Sequence, residues 1–187
     1  MKPSVDAAER MTAGHTACQG CGATISMRYA LKGLGEDAVF AIPACCWTIL
    51  AGAAPRSSLD VPMLHAPFAA AAATACGIKA GLVARGNDHT TVVAWGGDGG
   101  TFDIGLQSLS GAAERNEDIL YVCYDNEAYM NTGIQRSGAT PLGAWTTTTP
   151  VLGGSRGKAE PKKDVMAIVA AHRPAYAATV SPYWRVR

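Results

Sequence analysis

At 187 residues, 48% of them apolar and 17% charged, the chain is long enough to close one domain around a full core. A formal net charge of +1 with no Lys/Arg cluster excludes the electrostatic footprint of a nucleic-acid or membrane-surface binder. Six cysteines without an apolar signal region point away from a secreted disulfide framework and towards a metal or cluster in a cytoplasmic protein.

Residues 1–14 read as an extended lead-in. Gly14-His15-Thr16-Ala17-Cys18-Gln19-Gly20-Cys21-Gly22 is a CxxC in a glycine-rich loop, and a helix is expected over 23–34, stopped by Gly35. Ala38 to Ile42 has the composition of a strand and runs into Pro43-Ala44-Cys45-Cys46-Trp47-Thr48. Residues 51–63 read as loop, and His65 stands just before an alanine-rich stretch over 66–84. That stretch is interrupted by Lys79 and too weakly apolar to span a membrane, so it is expected to be a closely packed, buried helix. Thr90 to Trp95 is a β-branched, apolar run that breaks at Gly96-Gly97-Asp98-Gly99-Gly100. A helix over 103–116 follows, with Ile104, Leu106, Leu109 and Ala112 as its apolar stripe, and then a strand over 119–124. A βαβ unit of this kind has parallel strands. Residues 135–157 form a long Thr/Gly/Pro segment without periodicity, which inside a compact domain points to function. A short amphipathic helix over 164–172 and a last strand over 175–180 complete the reading. The predicted fold class is α/β, a doubly wound, mostly parallel sheet in a single domain over 1–187.

The chemistry concentrates where the two central strands end. Ligands in such sheets sit outside the carboxyl ends of the strands, which is where Asp98 and Asn126 fall. One carboxylate, one amide oxygen and nearby carbonyls suit Mg²⁺ that keeps waters and substrate phosphates in its shell. Gly97 and Gly99 let the backbone approach a diphosphate. Gly-Asp-Gly, 26 intervening residues and then Asn is the thiamine diphosphate fingerprint. Alone, the Asp-Gly pair is also a common hairpin turn; the flanking strands and the tail Asn126-Glu127-Ala128-Tyr129-Met130-Asn131-Thr132-Gly133 decide against that. The CxxC has no second pair close behind, as zinc usually needs, and a Gly-rich CxxC with a distant thiol at Cys45 or Cys46 better suits a [4Fe–4S] cluster. Cys76 and Cys123 are expected to be core residues, small hydrophobes on a helix and a strand. His89 and His172 are expected at the surface, while His15 and His65 stand on loops at the active face.

With these segments in view, the chain resembles the β subunit of 2-oxoacid:ferredoxin oxidoreductases, of the pyruvate and 2-oxoisovalerate type. The resemblance is carried by GHTACQGCG, the Cys46 loop, HAPFAAAAATACGIKAG, WGGDGGTFDIG and YDNEAYMNTGIQRSGATPLGAWTTTTP. It implies a thiamine diphosphate-binding fold with cluster-binding loops at 14–22 and 43–48. Cys18, Cys21 and Cys46 match three cluster ligands, with Cys46 chosen over Cys45 by its spacing after Cys21. Asp98, Asn126 and the carbonyl of Ala128 match the Mg²⁺ ligands, and Asn131 a residue near the thiazolium and the substrate. Trp47, His65 and Met130 join Cys46, Gly97 and Gly99 as expected cofactor contacts. Two departures stand out: no cysteine follows Cys123 to supply a fourth cluster ligand, so either the C-terminus is truncated or the cluster is held differently, and the tail Ser181 to Arg187 fits poorly, as a truncation or a join across missing residues would.

The implied activity is oxidative decarboxylation of a 2-oxoacid, pyruvate foremost, to acyl-coenzyme A and carbon dioxide, with electrons leaving through iron–sulfur clusters to ferredoxin. None of the six glutamates falls in a clearly buried helix, so the carboxylate that activates the cofactor is expected from an α-type partner subunit, in a hetero-oligomer with γ/δ-type subunits. Two alternatives stay open: a non-oxidative thiamine diphosphate-dependent decarboxylase or synthase, and a relative acting on an aryl glyoxylate with a nicotinamide acceptor.

Overall fold

A computed structural model of the chain describes residues 8–154 and 156–183; part of the predicted lead-in and of the tail lies outside them. Four strands, β1 (Ala38–Pro43), β2 (Met63–Ala66), β3 (Thr91–Gly97) and β4 (Leu120–Tyr124), form one sheet in the order β2-β1-β3-β4. Every pairing in it is parallel. The helices are α1 (Gly22–Leu34), α2 (Cys46–Ala51), α3 (Ala71–Ala84), α4 (Leu106–Glu114) and α5 (Val165–Ala170). A π-helical turn, Gly99–Ile104, joins β3 to α4.

Strand alternation divides the core between the two faces of the sheet. Phe40, Ile42, Val93 and Trp95 pack on one face with Met27, Leu31 and Trp47 from α1 and α2. Ala41, Val92 and Ala94 pack on the other against Ala71 and Ala75 of α3. Burial on both faces is why β1 and β3 read as near-continuous apolar runs. Small residues on α3 and on the strands beneath it let that helix lie close to the sheet.

The chain passes from β1 outward to β2 and returns through α3 to β3 on the opposite side of β1. The order therefore reverses between β1 and β3, and loops leaving their carboxyl ends diverge to open a crevice. This places the segments after β1 and after β3 on either side of one cleft.

Three elements differ from the sequence expectation. Strand β2 begins at Met63, where the stretch read as loop ends, and takes in His65 and Ala66, so the helix expected from 66 starts only at Ala71; the Cys46 loop turns immediately into α2. The helix expected from 103 starts at Gly99 as the π turn, and the turn closes with Gly105 against the Gly100 carbonyl, where there is no room for a Cβ. The strand expected over 175–180 is absent; Tyr176 and Val180 are 82% and 88% exposed in irregular coil that pairs with no strand among the described residues. Helix α5 does form, capped by Asp164 Oδ1 accepting from Ala167 N at 2.8 Å. Among the described residues no helix is long and apolar enough to cross a membrane.

Candidate functional site

A cleft of about 300 Å³ opens at the switch point between β1 and β3. Its walls come from three loops: Ala44, Cys45 and Cys46 after β1, Gly97 to Gly100 after β3, and Asn126 to Thr132 after β4 except Glu127. Ile49 and Phe68 add apolar surface. The β3 loop is tightly determined. Thr101 Oγ1 donates to the Gly97 carbonyl at 2.7 Å and meets Tyr121 Oη at 3.0 Å. A Cβ on Gly99 would stand 2.4 Å from Tyr129 Cε1, so only glycine allows that ring to lie on the turn. Tyr129 is held there by Asp103 Oδ2 at 3.0 Å and packs edge-on to Phe68, centroids 5.8 Å apart. Asp103 Oδ2 also accepts from Gly138 N at 2.9 Å, so one carboxylate fastens the aromatic wall and the 137–140 turn together.

Three oxygens converge at the mouth of the β3 loop. The amide head of Asn126 sets one atom 2.9 Å from Asp98 Oδ1 and 3.1 Å from the Ala128 carbonyl oxygen. With nitrogen in that position it donates to both; with oxygen there, three acceptors face each other and require a cation between them. The two separations from Asn126 are close to the octahedral edge of ~2.9 Å that follows from Mg–O distances of about 2.0–2.1 Å. Asp98 is 1% exposed; the Ser137 hydroxyl donates to it, and the neighbouring Asp125 charge repels it. Burial pushes its carboxyl up to about 6, and the Ser137 hydrogen bond only partly opposes this. A buried carboxylate of this kind wants a cation, so the donor set and its electrostatics both fit Mg²⁺ with a diphosphate.

The cysteine loops are only partly gathered. Cys21 N donates to Cys18 O at 3.1 Å, closing the CxxC into a turn that opens α1, and Cys46 is the first residue of α2. Cys21 and Cys46 are close enough for their charges to act on each other, whereas Cys18 is exposed. Among the described residues no three metal-binding side chains converge as they would on a single ion. The thiolates of a four-iron cluster bind different irons and stand further apart than the ligands of one ion. The two facing loops therefore fit a larger group better than a zinc ion. Burial raises the Cys45 and Cys46 thiols, and Tyr124 Oη, which accepts from Cys46 N at 3.0 Å, lies between this loop and β4.

Of the other residues singled out by sequence, Gly97, Asp98, Gly99, Asn126, Ala128, Met130 and Asn131 all line the cleft. Trp47 does not: it is fully buried, edge-on to Trp95 with centroids 6.2 Å apart. His65 is outside the lining and its Nε2 lies 3.2 Å from Gly52 O. His15 is also outside it, accepting weakly from Ala17 N at 3.4 Å. Cys123 and Cys76 are half-buried rather than core; burial pushes the Cys123 thiol up to about 12, so it stays protonated. His172, expected at the surface, is half-buried with Nε2 2.9 Å from Ser110 Oγ. Sequence reading missed Phe68, Tyr124, Tyr129, Asp103 and Ser137. Only Tyr129 carried a usable signal, through its place in the segment after Asn126.

The family model described as "Thiamine pyrophosphate enzyme, C-terminal TPP binding domain" matches residues 44–186. The chain belongs to this family. It is an α/β thiamine diphosphate-binding domain, and the Gly97-Asp98-Gly99 turn and Asn126 lie within the matched span, while the CxxC loop precedes it. Ketoisovalerate oxidoreductase subunit VorB of Pyrococcus horikoshii is 56% identical over 180 residues, covering 92% of this chain and 57% of the relative. Pyruvate synthase subunit PorB of Methanothermobacter marburgensis is 51% identical over 173 residues, covering 92% of this chain and 60% of the relative. The solved structure of 2-oxoglutarate:ferredoxin oxidoreductase from Magnetococcus marinus, with 2-oxoglutarate, coenzyme A and succinyl-CoA bound, superposes with a TM-score of 0.71 at 25% identity. That match covers 88% of this chain and 53% of the other. The thiamine diphosphate-binding chain thus spans little more than half the length of the relatives it matches.

Proposed function

We propose that this chain is the thiamine diphosphate-binding subunit of a 2-oxoacid:ferredoxin oxidoreductase that converts a short aliphatic 2-oxoacid and coenzyme A to acyl-coenzyme A and carbon dioxide. The observation that carries the reading is the convergence of Asp98 Oδ1, the Asn126 amide and the Ala128 carbonyl beside the Cys45–Cys46 loop, at the switch point of the sheet. Those three oxygens would hold Mg²⁺, and the Gly97–Gly100 backbone would face the diphosphate. Bound there, thiamine diphosphate supplies the electron sink that decarboxylation of a 2-oxoacid requires. Tyr129 and Phe68 wall the cleft with apolar surface that keeps water from it, and Asn131 offers an amide on the open side.

The lining also favours a class of substrate. It holds Ile49, Phe68 and Met130 but no lysine, arginine or histidine among the described residues, so nothing in this half of the site pairs with a second carboxylate. Pyruvate and 2-oxoisovalerate fit such a wall; 2-oxoglutarate would bury an unpaired charge. The names of the Pyrococcus and Methanothermobacter relatives point the same way. Among the described residues no glutamate lines the cleft either, which supports an activating carboxylate supplied by a partner subunit. Cys18, Cys21 and Cys46 are the thiols we assign to an iron–sulfur group, the two facing loops being their support.

The test is dye reduction. The native assembly, with thiamine diphosphate, Mg²⁺ and coenzyme A, should reduce a viologen with pyruvate or 2-oxoisovalerate and hardly at all with 2-oxoglutarate. The isolated chain should reduce none. An assembly inert towards every 2-oxoacid would overturn the reading, and robust turnover by the chain alone would overturn the shared active site.

A further inference from the structure

The two oxygens of Asp98 face different ways. Oδ1 is directed at the Asn126 amide, while Oδ2 accepts from Ser137 Oγ at 2.5 Å. Ser137 is 0% exposed, and its hydroxyl accepts from Ala139 N at 3.1 Å, which commits its proton to Asp98. Thr140, three residues on, is equally enclosed. Its Oγ1 accepts from Ser137 N at 2.9 Å and donates to the Glu127 carbonyl at 2.5 Å. Glu127 lies between Asn126 and Ala128 with φ of 67°, a left-handed conformation that a residue of its kind rarely holds unaided. The turn itself is anchored: Gly138 N donates to Asp103 Oδ2 at 2.9 Å, and Lys158 Nζ to the Thr140 carbonyl at 2.6 Å.

We propose that the buried turn Ser137–Thr140 is a clamp that sets the geometry of the cation site, with Ser137 holding the Asp98 carboxylate and Thr140 holding the Asn126–Ala128 loop. Both are positioning residues, and the inference rests on the reading of those three oxygens as cation ligands. The choice of hydroxyls has a physical reason. A neutral donor fixes Oδ2 and leaves Oδ1 its charge, whereas a lysine or arginine in the same place would neutralise the carboxylate and compete with the metal. Partners of this outer kind typically govern metal affinity by about 10–100-fold. Mg²⁺ demands near-ideal octahedral angles and Ca²⁺ does not, so a loosened clamp also weakens discrimination between them.

The experiment titrates Mg²⁺ and Ca²⁺ against the native assembly at fixed thiamine diphosphate, following cofactor binding calorimetrically, with melting temperature recorded alongside. Ser137→Ala and Thr140→Val should each raise the Mg²⁺ concentration for half-saturation about 10–100-fold and shift the Mg²⁺/Ca²⁺ preference towards Ca²⁺. Saturating Mg²⁺ should restore cofactor affinity, and Thr140→Ser, which keeps the hydroxyl, should behave as the parent. Should Ser137→Ala not fold, the Thr140→Val and Thr140→Ser pair decides alone. Lower melting temperatures with unchanged Mg²⁺ half-saturation and unchanged selectivity overturn the clamp. Asp98→Ala separates the two levels: loss of metal-dependent cofactor binding there, with Ser137→Ala and Thr140→Val unaffected, rejects the clamp alone. Metal dependence retained in Asp98→Ala rejects the cation site as well.

Discussion

Gly99 shows how one absent methyl group shapes the site. An alanine Cβ there would stand 2.4, 2.6 and 2.8 Å from Cε1, Cδ1 and Cζ of Tyr129, inside any real contact. Tyr129 cannot simply swing aside, because its hydroxyl is held by Asp103 Oδ2 at 3.0 Å and its ring by Phe68. Gly99→Ala should therefore cost about 1–3 kcal/mol of stability through overpacking and lower thiamine diphosphate affinity as the cleft wall shifts. Tyr129→Ala removes the obstructing ring, so the double variant should be less destabilised than the sum of the two singles, a coupling measurable by denaturant unfolding. Strict additivity would show that the ring does not set the requirement for glycine. Sequence spacing identified Gly99 as a residue that must come close to something; that the neighbour is a tyrosine 30 positions away is a property of the fold.

At the level of elements, legibility followed burial. Strands β1, β3 and β4 were readable because β-branched and apolar runs cover them. Strand β2 was not: it has four residues, Leu64 and His65 are exposed on it, and proline stands at 62 and 67 on either side. Helix α2, at six residues, is too short to display a 3.6-residue period. The segment 175–180 had a strand's composition but lies beside no strand, and a strand exists only by pairing. Ser137 could not be foreseen, since its partner is 39 residues away and its own segment has no period. Lys79 was legible only as a flaw in an apolar stretch. In the structure it is the pin that ties α3 to the loops ahead of β3 and β4. Nζ donates to Asp88 O at 2.8 Å and Thr90 O at 3.2 Å, and pairs with Asp118 Oδ2 at 2.8 Å. The Asp118 side chain is 83% exposed, so that pair is screened and contributes at most about 1 kcal/mol. Lys79→Met takes its donor from the buried Thr90 carbonyl and should cost about 1–3 kcal/mol, and Asp118→Asn less than about 1 kcal/mol. Equal losses in urea titrations would mean that the ion pair, and not the carbonyl bonds, holds the pin.

Exposed large apolar side chains occur along the whole molecule, but they are densest in one segment. Leu142, Trp145, Val151 and Leu152 are 64%, 52%, 48% and 77% exposed, and all belong to the segment after the cleft. Isolated apolar side chains at a surface need no explanation, but four within eleven residues beside a functional cleft have the composition of an interface core. The backbone beneath them is ordered: Gly143 N donates to Lys158 O at 2.8 Å, and Lys158 N to Ala144 O at 3.0 Å. Leu142 and Trp145 are therefore presented on a backbone that is already fastened. Thr147 N donates to Ile134 O at 2.9 Å, so a partner seated there would lie near the cleft loop, whose lining among the described residues holds no glutamate to act as the activating carboxylate of the proposed function. We therefore expect this face to receive the partner subunit that carries it. Trp145→Glu and Leu152→Asp replace large apolar groups with charges that an interface would have to bury unpaired. Each should abolish co-purification with the partner and 2-oxoacid-dependent viologen reduction. The melting temperature of the isolated chain should stay near that of the parent, because both side chains are already in water. A complex that assembles and turns over normally with both substitutions present would place the partner on another face.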